Sequence, residues 1–284
     1  KEDQDYYRLV IQEALDKASA HPLKYDAILV DEGQDFSDDM FRIVMALLNP
    51  KTNHLAIALD DNQNIYDRRR SWKDLGIQAR GRVHRVSWIY RNTQEITALA
   101  EVLEDKNENT SSDGAQQTRL FPETFEASHG PAPEIKQFAK VDEIVSWTAD
   151  QISHLHNNEG YPLSEIAVIY TQKSPLERSA VNLPKLLMGA LESKGIIHQW
   201  ISEDYRSKKS YDVTTNSVSI STIHSAKGFD YACVFLLGLD WLEAGNRWTE
   251  EQIRKLTYVA VTRARERLFV PYCNKNEIIK KLVR

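Results

Sequence analysis

Short apolar runs, each about five residues long, recur along this chain with helical periodicity between them. They fall at Ala27 to Val30, Leu55 to Leu59, Ile166 to Tyr170, Val218 to Thr222, Val234 to Leu237 and Leu268 to Val270. A run that is apolar on consecutive residues is buried on both faces. Strands of that kind belong to parallel sheets covered by their crossover helices. Between the runs, Val141, Ile144, Val145, Ile152 and Leu155 share one helical face, and Leu183 to Lys194 forms a helix that Gly195 closes. The expected class is α/β, with parallel sheets flanked by helices.

At 284 residues, 42% hydrophobic and 27% charged, the chain is long enough for two ordinary cores and is neither disordered nor fibrous in composition. Asp105 to Thr118 has no apolar residue except Ala115 and is the best boundary candidate. A second polar segment, Ser202 to Asn216, separates a strand expected at Ile196 to Ile201 from the next one. No apolar run reaches the length of about 18 residues that a membrane span needs, and residues 1–20 are polar and amphipathic, so the expectation is an unexported, cytoplasmic protein with no membrane partner. Cys233 and Cys273 sit in apolar runs without metal-ligand spacing, which argues against a disulfide framework or a zinc site. The net charge of −5 provides no overall basic footprint for nucleic acid. A groove that tracks a single strand needs only local basic and aromatic side chains. Residue 1 is Lys and the pattern opens in mid-helix, so the chain is expected to be a piece of a longer protein.

Five segments carry residues suited to chemistry. The strand at Ala27 runs into Asp31, Glu32, Gly33, Gln34 and Asp35, and open α/β sheets place ligands at the C-terminal ends of their strands. There Asp31 would hold magnesium through its water shell and Glu32 would polarise an attacking water. The plainer reading is a solvated acidic turn. Next, Leu59 leads into Asp60, Asp61, Asn62, Gln63, Asn64, Ile65 and Tyr66, followed by Arg68, Arg69, Arg70 and Trp72. A Gln beside a γ-phosphate senses it by hydrogen bonding, and a basic-aromatic cluster suits a base or phosphate; a charged turn is the alternative. In Tyr90, Arg91, Asn92, Thr93, Asn92 is expected to cap a helix with Glu95 at its third position, leaving Arg91 at the helix start.

After the strand at Val218 come Ile223, His224, Ser225, Ala226, Lys227, Gly228, Phe229 and Asp230. This small-residue turn offers backbone N–H groups to a phosphate, and Asp230 is able to accept from a ribose hydroxyl. A His after a strand is more often structural, so His224 taken alone carries little weight. Finally, Thr249 and Gln252 form a capping box for a helix running to Thr262, Arg263, Ala264 and Arg265. Arg263 is either a solvated helix end or an arginine finger, whose planar cation neutralises charge on a transferring phosphate.

Read in order, VDEGQDF, ALDDNQNIYDRR, IYRNTQEI, STIHSAKGFDYACVF and KLTYVAVTRAR resemble motifs two to six of the UvrD/Rep family of superfamily-one DNA helicases. The resemblance implies a RecA-like P-loop NTPase fold. Residues 1–85 would be the C-terminal part of a first RecA-like domain, and residues 86–284 a near-complete second one without a large inserted accessory domain. It implies ATP and Mg2+ as cofactors, single-stranded and duplex DNA as partners, and ATP-driven 3′-to-5′ movement on a single strand. Position by position, Asp31 resembles the magnesium-associated aspartate, Glu32 the catalytic base and Gln63 the γ-phosphate sensor. Arg91 and Arg263 resemble the two γ-phosphate arginines, Gly228 and Asp230 residues near the sugar and phosphates, Tyr66 one near the base, and His224 one associated with the single strand.

The departures also carry information. No GxxxxGK[ST] loop occurs, so the cradle for the β- and γ-phosphates is absent from this sequence. Leu59 replaces the family's Gly, Ile89 its Asn, and Asp230 its Glu. Arg68 stands where a base-stacking Trp is usual, leaving Trp72 as the substitute. The isolated chain is therefore expected to be inactive without the N-terminal part of the same protein. Two rivals remain at this point: a non-catalytic helicase-like binding module, and a metal-dependent nuclease using Asp31, Glu32 and Asp35, which explains none of the later motifs.

Overall fold

A computed structural model describes residues 2–59, 71–84, 91–103, 128–175, 181–201, 215–245 and 248–283. These residues fall into two units, the first ending at residue 84 and the second beginning at residue 91. Gln63 and Tyr66 lie outside the described residues, as do Arg68 to Arg70, the polar stretch from Asp105 to Thr118 and most of the segment from Ser202 to Asn216.

The first unit holds α1 (Glu2–Ala20), β1 (Ala27–Val30), α2 (Asp38–Leu47) and β2 (His54–Ile57). Ser37 starts α2 by accepting from the Met40 N–H at 3.2 Å, which satisfies one of the donors a helix start leaves over. β1 and β2 pair in parallel with Ala27 opposite His54 and Val30 opposite Ile57. One side of the pair packs Val30, Phe41 and Leu75 with Ile28, Leu55, Ile57 and Trp72. On the other side Leu29 is 85% exposed.

The second unit is built on a six-stranded sheet in the order β3-β8-β7-β4-β6-β5, every pair parallel. Its elements are α3 (Gln94–Glu101), β3 (Glu134–Gln137), α4 (Val141–Asn157), β4 (Ile166–Tyr170), α5 (Leu183–Ser193), β5 (His198–Trp200), β6 (Val218–Thr222), α6 (Ile223–Ala226), β7 (Tyr231–Leu237), α7 (Glu250–Val261), β8 (Ala264–Tyr272) and α8 (Glu277–Leu282). The central strands β4 and β7 are buried at every position, as their unbroken apolar runs require. On one face Val168, Tyr170, Val218, Ile220, Phe235 and Phe269 pack against Val145, Ile152 and Leu155 of α4 and Leu187 and Leu191 of α5. Phe235 and Phe269 stack at 4.4 Å, and Trp147 meets both edge-on. The opposite-facing Ala167, Ile169, Val234 and Leu236 are also buried.

The expected helix at Leu183 ends where Gly195 takes φ 68°, with the Ile196 N–H closing back on the Leu191 carbonyl at 3.0 Å. The Thr249–Gln252 capping box is present in both directions, at 3.1 and 2.9 Å. Among the described residues no helix is long and apolar enough to cross a membrane.

Candidate functional site

In the first unit the chain turns immediately after β1. The Ala58 N–H donates to the Val30 carbonyl and the Gly33 N–H to the Ala58 carbonyl, both at 2.8 Å, so parallel pairing continues past the strand ends. A Cβ at residue 33 would lie 2.6 Å from Ile57 Cγ2 and 3.2 Å from the Ala58 oxygen, which is why glycine stands there. Between strand and turn, Glu32 adopts φ 52°, ψ 39°, a left-handed conformation that costs a residue with a Cβ about 1 kcal/mol or more. Strain of this kind persists where surrounding structure dictates it. Here it falls at the C-terminal end of β1, directly after Asp31. Asp31 is exposed, with Oδ1 accepting from the Glu32 N–H at 2.8 Å, and the half-buried Glu32 carboxylate accepts from the Gln34 amide. Trp72 is half-buried with its ring edge-on to Phe41 at 5.3 Å, so at least part of the indole belongs to the core of this unit.

In the second unit, segments distant in sequence meet where β7 and β8 begin. Asn92 does not cap α3, as its spacing suggested: Thr93 occupies the N-cap position, and Asn92 is buried with Nδ2 donating to the carbonyls of Thr262, at 3.1 Å, and Ala264. Those carbonyls follow the end of α7, where the helix itself provides no donor, and this unmet demand draws Asn92 away from α3. Nor does Glu95 fold back onto the helix start. Its carboxylate pairs with His129 at 2.9 Å and accepts the Gly130 N–H at 2.8 Å, and these contacts hold its pKa down at about 2. The Thr93 N–H then donates to the Arg265 carbonyl at 3.0 Å. Arg91 precedes this junction and is exposed.

Arg263 is not a solvated helix end. It is 1% exposed, with Nε donating to the Val259 carbonyl at 3.0 Å, Nη1 to the Phe229 carbonyl at 3.2 Å and Nη2 to Thr262 Oγ1 at 3.3 Å. Its own carbonyl accepts the Tyr231 N–H at 2.9 Å. One side chain thus joins the last turn of α7 to the segment carrying Gly228 and Asp230. Gly228 adopts φ 88°, and a Cβ there would meet nothing within 4 Å. Asp230 is already engaged: Oδ2 takes Arg265 Nη1 at 3.1 Å, and Arg265 Nη2 reaches Glu165 Oε2 at 2.6 Å. Neither Arg265 nor Glu165 stood out in the sequence, because their pairing joins positions 100 residues apart.

His224 lies elsewhere, on α6 at the C-terminal end of β6. Thr222 Oγ1 accepts the Ser225 N–H at 3.2 Å and fixes the start of this short helix. The His224 ring is exposed and lies 6.0 Å from the Trp248 ring at 30°. Partial desolvation, and secondarily Lys227, lower its pKa below the ordinary imidazole value. At the end of β7, the buried Asp240 accepts the N–H groups of Cys273 and Asn274 at 2.9 and 3.1 Å; desolvation raises its pKa against the pull of those bonds. Burial likewise pushes the Cys233 thiol up to about 12, which removes it from nucleophilic chemistry.

Residues 192–275 match the UvrD-like helicase C-terminal domain. The match includes His224, Gly228, Asp230 and Arg263; Asp31, Glu32, Trp72 and Arg91 lie before it. A protein named "Probable DNA helicase" from Mycoplasma pneumoniae is 25% identical over 86% of this chain, and the chain spans 42% of that relative. DNA helicase II of Escherichia coli K12 is 35% identical over 80 residues, 25% of this chain and 11% of that protein. A crystal structure of the C-terminal domain of a possible DNA helicase from Lactobacillus plantarum WCFS1 aligns over 69% of this chain and 94% of its own, at 17% identity and a TM-score of 0.43.

Proposed function

We propose that this chain is the C-terminal part of an ATP-dependent DNA helicase that couples ATP hydrolysis to 3′-to-5′ movement along single-stranded DNA. The observation that carries this reading is the meeting of residues 91–93, 228–230 and 262–265 at the end of the second unit's sheet where β7 and β8 begin, held by Asn92 and Arg263. A junction of this kind places an exposed guanidinium, a buried guanidinium, an open glycine and a carboxylate on adjoining segments, a set suited to a nucleotide polyphosphate.

The residues present also fit magnesium. This ion keeps several waters and needs only one or two protein carboxylates, and the exposed Asp31 beside Glu32 offers that much. Among the described residues no group of three or more His, Cys, Asp or Glu forms a dedicated cage. Bound with ATP, the ion would neutralise charge on the phosphates. The chain's own contributions follow. Glu32 orients a water and takes its proton, Gln63 senses the γ-phosphate, and Arg91 and Arg263 offset its charge. Gly228 permits close backbone approach, Asp230 serves the sugar with a carboxylate steadied by Arg265, Tyr66 and Trp72 serve bases, and His224 lies along the single strand. Duplex DNA is the further substrate.

The phosphate cradle would come from an additional part of the first RecA-like domain. The open side of the β1–β2 pair, with Leu29 on it, is a surface for such a part to cover, because parallel strands are normally covered on both faces. By itself this chain should bind ATP weakly and not hydrolyse it.

The test uses the full gene product carrying Glu32→Gln, which keeps the side chain's shape and removes the base. ATP binding should persist while turnover falls sharply. Lost binding with unchanged turnover per bound ATP would contradict the role given to Glu32. A native gene product that binds single strands but never hydrolyses ATP would instead be a helicase-like binding module.

A further inference from the structure

We propose that Glu95 is a positioning residue for Arg91: its carboxylate buckles the segment ahead of β3 onto the start of α3 and so fixes the root from which Arg91 is presented. This rests on the polyphosphate reading of the junction above, in which Arg91 is the exposed guanidinium, and adds Glu95 and its anchorage at Ser128 to Gly130.

The four residues after Arg91 are gripped in turn by two different parts of the second unit. Asn92 Nδ2 donates to the Thr262 and Ala264 carbonyls and the Thr93 N–H to the Arg265 carbonyl, so the turn from α7 into β8 holds the first two. The Gln94 N–H donates to the Ser128 carbonyl at 3.0 Å, and Glu95 accepts from the Gly130 N–H on Oε2 while Oε1 meets His129 Nδ1. The segment leading into β3 therefore holds the next two. That segment is itself wedged in place: a Cβ on residue 130 would lie 2.6 Å from Thr93 Cγ2 and 3.2 Å from the Glu266 carbonyl oxygen.

α3 has only eight residues, and Thr93 at its N-cap makes no side-chain capping bond. A helix that short does not hold its own start, so the placement of its first turn depends on these outside ties. Glu95 is the charged member among them. Its contacts, His129 first and then Gly130, hold its pKa at about 2, so the carboxylate grips Gly130 through a charge-assisted bond across the neutral pH range. Both oxygens are committed to the buckle, and a carboxylate repels phosphate, so Glu95 acts through Arg91 rather than on the nucleotide. A guanidinium two residues ahead of the N-cap inherits any rotation of the helix start. A misplacement of about 1 Å can lower turnover by about a hundredfold.

The experiment is a double-variant cycle on the full gene product, with ATP turnover measured for Glu95→Ala, Arg91→Ala and the two together. Glu95→Ala should lower kcat by about tenfold or more and change KM by less than about twofold. In the Arg91→Ala background the same change should cost less than about twofold, because the group it positions is gone. Glu95→Gln, whose amide oxygen still accepts the Gly130 N–H without the charge, should lose only about threefold. In this chain alone, amide exchange at Gln94 should accelerate in Glu95→Ala while β4 and β7 stay protected. If Glu95→Ala proves unfolded by circular dichroism, Glu95→Gln carries both measurements, and native kcat in that variant overturns the proposal. Losses of equal size in the two Arg91 backgrounds, native kcat in folded Glu95→Ala, or unchanged exchange at Gln94 also overturn it and leave the junction reading standing. Near-native turnover in Arg91→Ala removes the reading of Arg91, and the role of Glu95 with it.

Discussion

Asn92→Ala should destabilise the second unit while leaving the first as it is. The Asn92 side chain is 1% exposed and donates from one nitrogen to two carbonyls, those of Thr262 and Ala264, at a place where the end of α7 provides no donor. Truncation leaves both oxygens buried without a partner and opens a small void. A stranded buried polar group costs about 1–3 kcal/mol, so the loss should total about 2–4 kcal/mol once partial relaxation is allowed. A small offset arises because Asn92 Oδ1 already has no hydrogen-bond partner among the described residues. Asn92→Asp should be worse than Ala, since it turns a carboxylate toward two carbonyl oxygens in a dry site. Urea unfolding followed by tryptophan emission reads the second unit, where Trp147, Trp200, Trp241 and Trp248 lie. The midpoint should fall with an unchanged slope. A loss below about 0.5 kcal/mol for Ala, the size of an ordinary surface substitution, would refute the reasoning.

Gly33→Ala should loosen the first unit, because the new Cβ would lie 2.6 Å from Ile57; overpacking of this kind costs about 1–3 kcal/mol, and amide exchange in β1 and β2 should accelerate while β4 and β7 are unaffected. Asp240→Ala should cost about 2–4 kcal/mol in urea, since two backbone N–H groups lose their acceptor, and Asp240→Asn, which keeps an oxygen, should cost less. The pH dependence adds a sign. The folded pKa of Asp240 is raised above 3.8, so the folded state holds the proton more tightly, and stability falls as pH rises from 3.8 through the raised value. Titrating unfolding across that window should show this descending component in the native chain and not in Asp240→Asn.

The buried strands were legible because burial on both faces leaves a mark on every residue. β4 and β6 begin and end where their apolar runs do, and so does β1, although Leu29 leaves one of its sides exposed. β8 is longer than the run at Leu268 suggests, extending back through Arg265, Glu266 and Arg267, whose charged ends find partners beside the sheet. It also tolerates Pro271, since by that point β8 is paired only with β3, opposite Lys136. β3 itself went unseen: it is an edge strand, and Glu134, Lys136 and Gln137 are exposed. The acidic turn after β1 in the first unit and the small-residue turn before Asp230 in the second were each readable from local composition. The tasks of Asn92 and Arg265 were not, because their partners lie far along the chain and no local pattern encodes them.

The claim that this chain completes an ATP-hydrolysing site is tested most directly at Arg263. Its buried guanidinium already ties α7 to Phe229, so each variant of the full gene product must first be shown to fold, with Arg267→Ala, whose salt bridge to Glu159 lies nearby, as the control. Single-turnover ATP hydrolysis is then measured for Arg263→Lys and Arg263→Ala. An arginine that neutralises the transferring phosphate contributes on the order of 10³ or more to turnover, and lysine, lacking the planar fork, should not restore it. The account predicts a loss of that order in both variants and near-native hydrolysis in Arg267→Ala. Near-native hydrolysis in folded Arg263 variants would contradict it, reducing Arg263 to a structural clamp and leaving Arg91 as the remaining candidate.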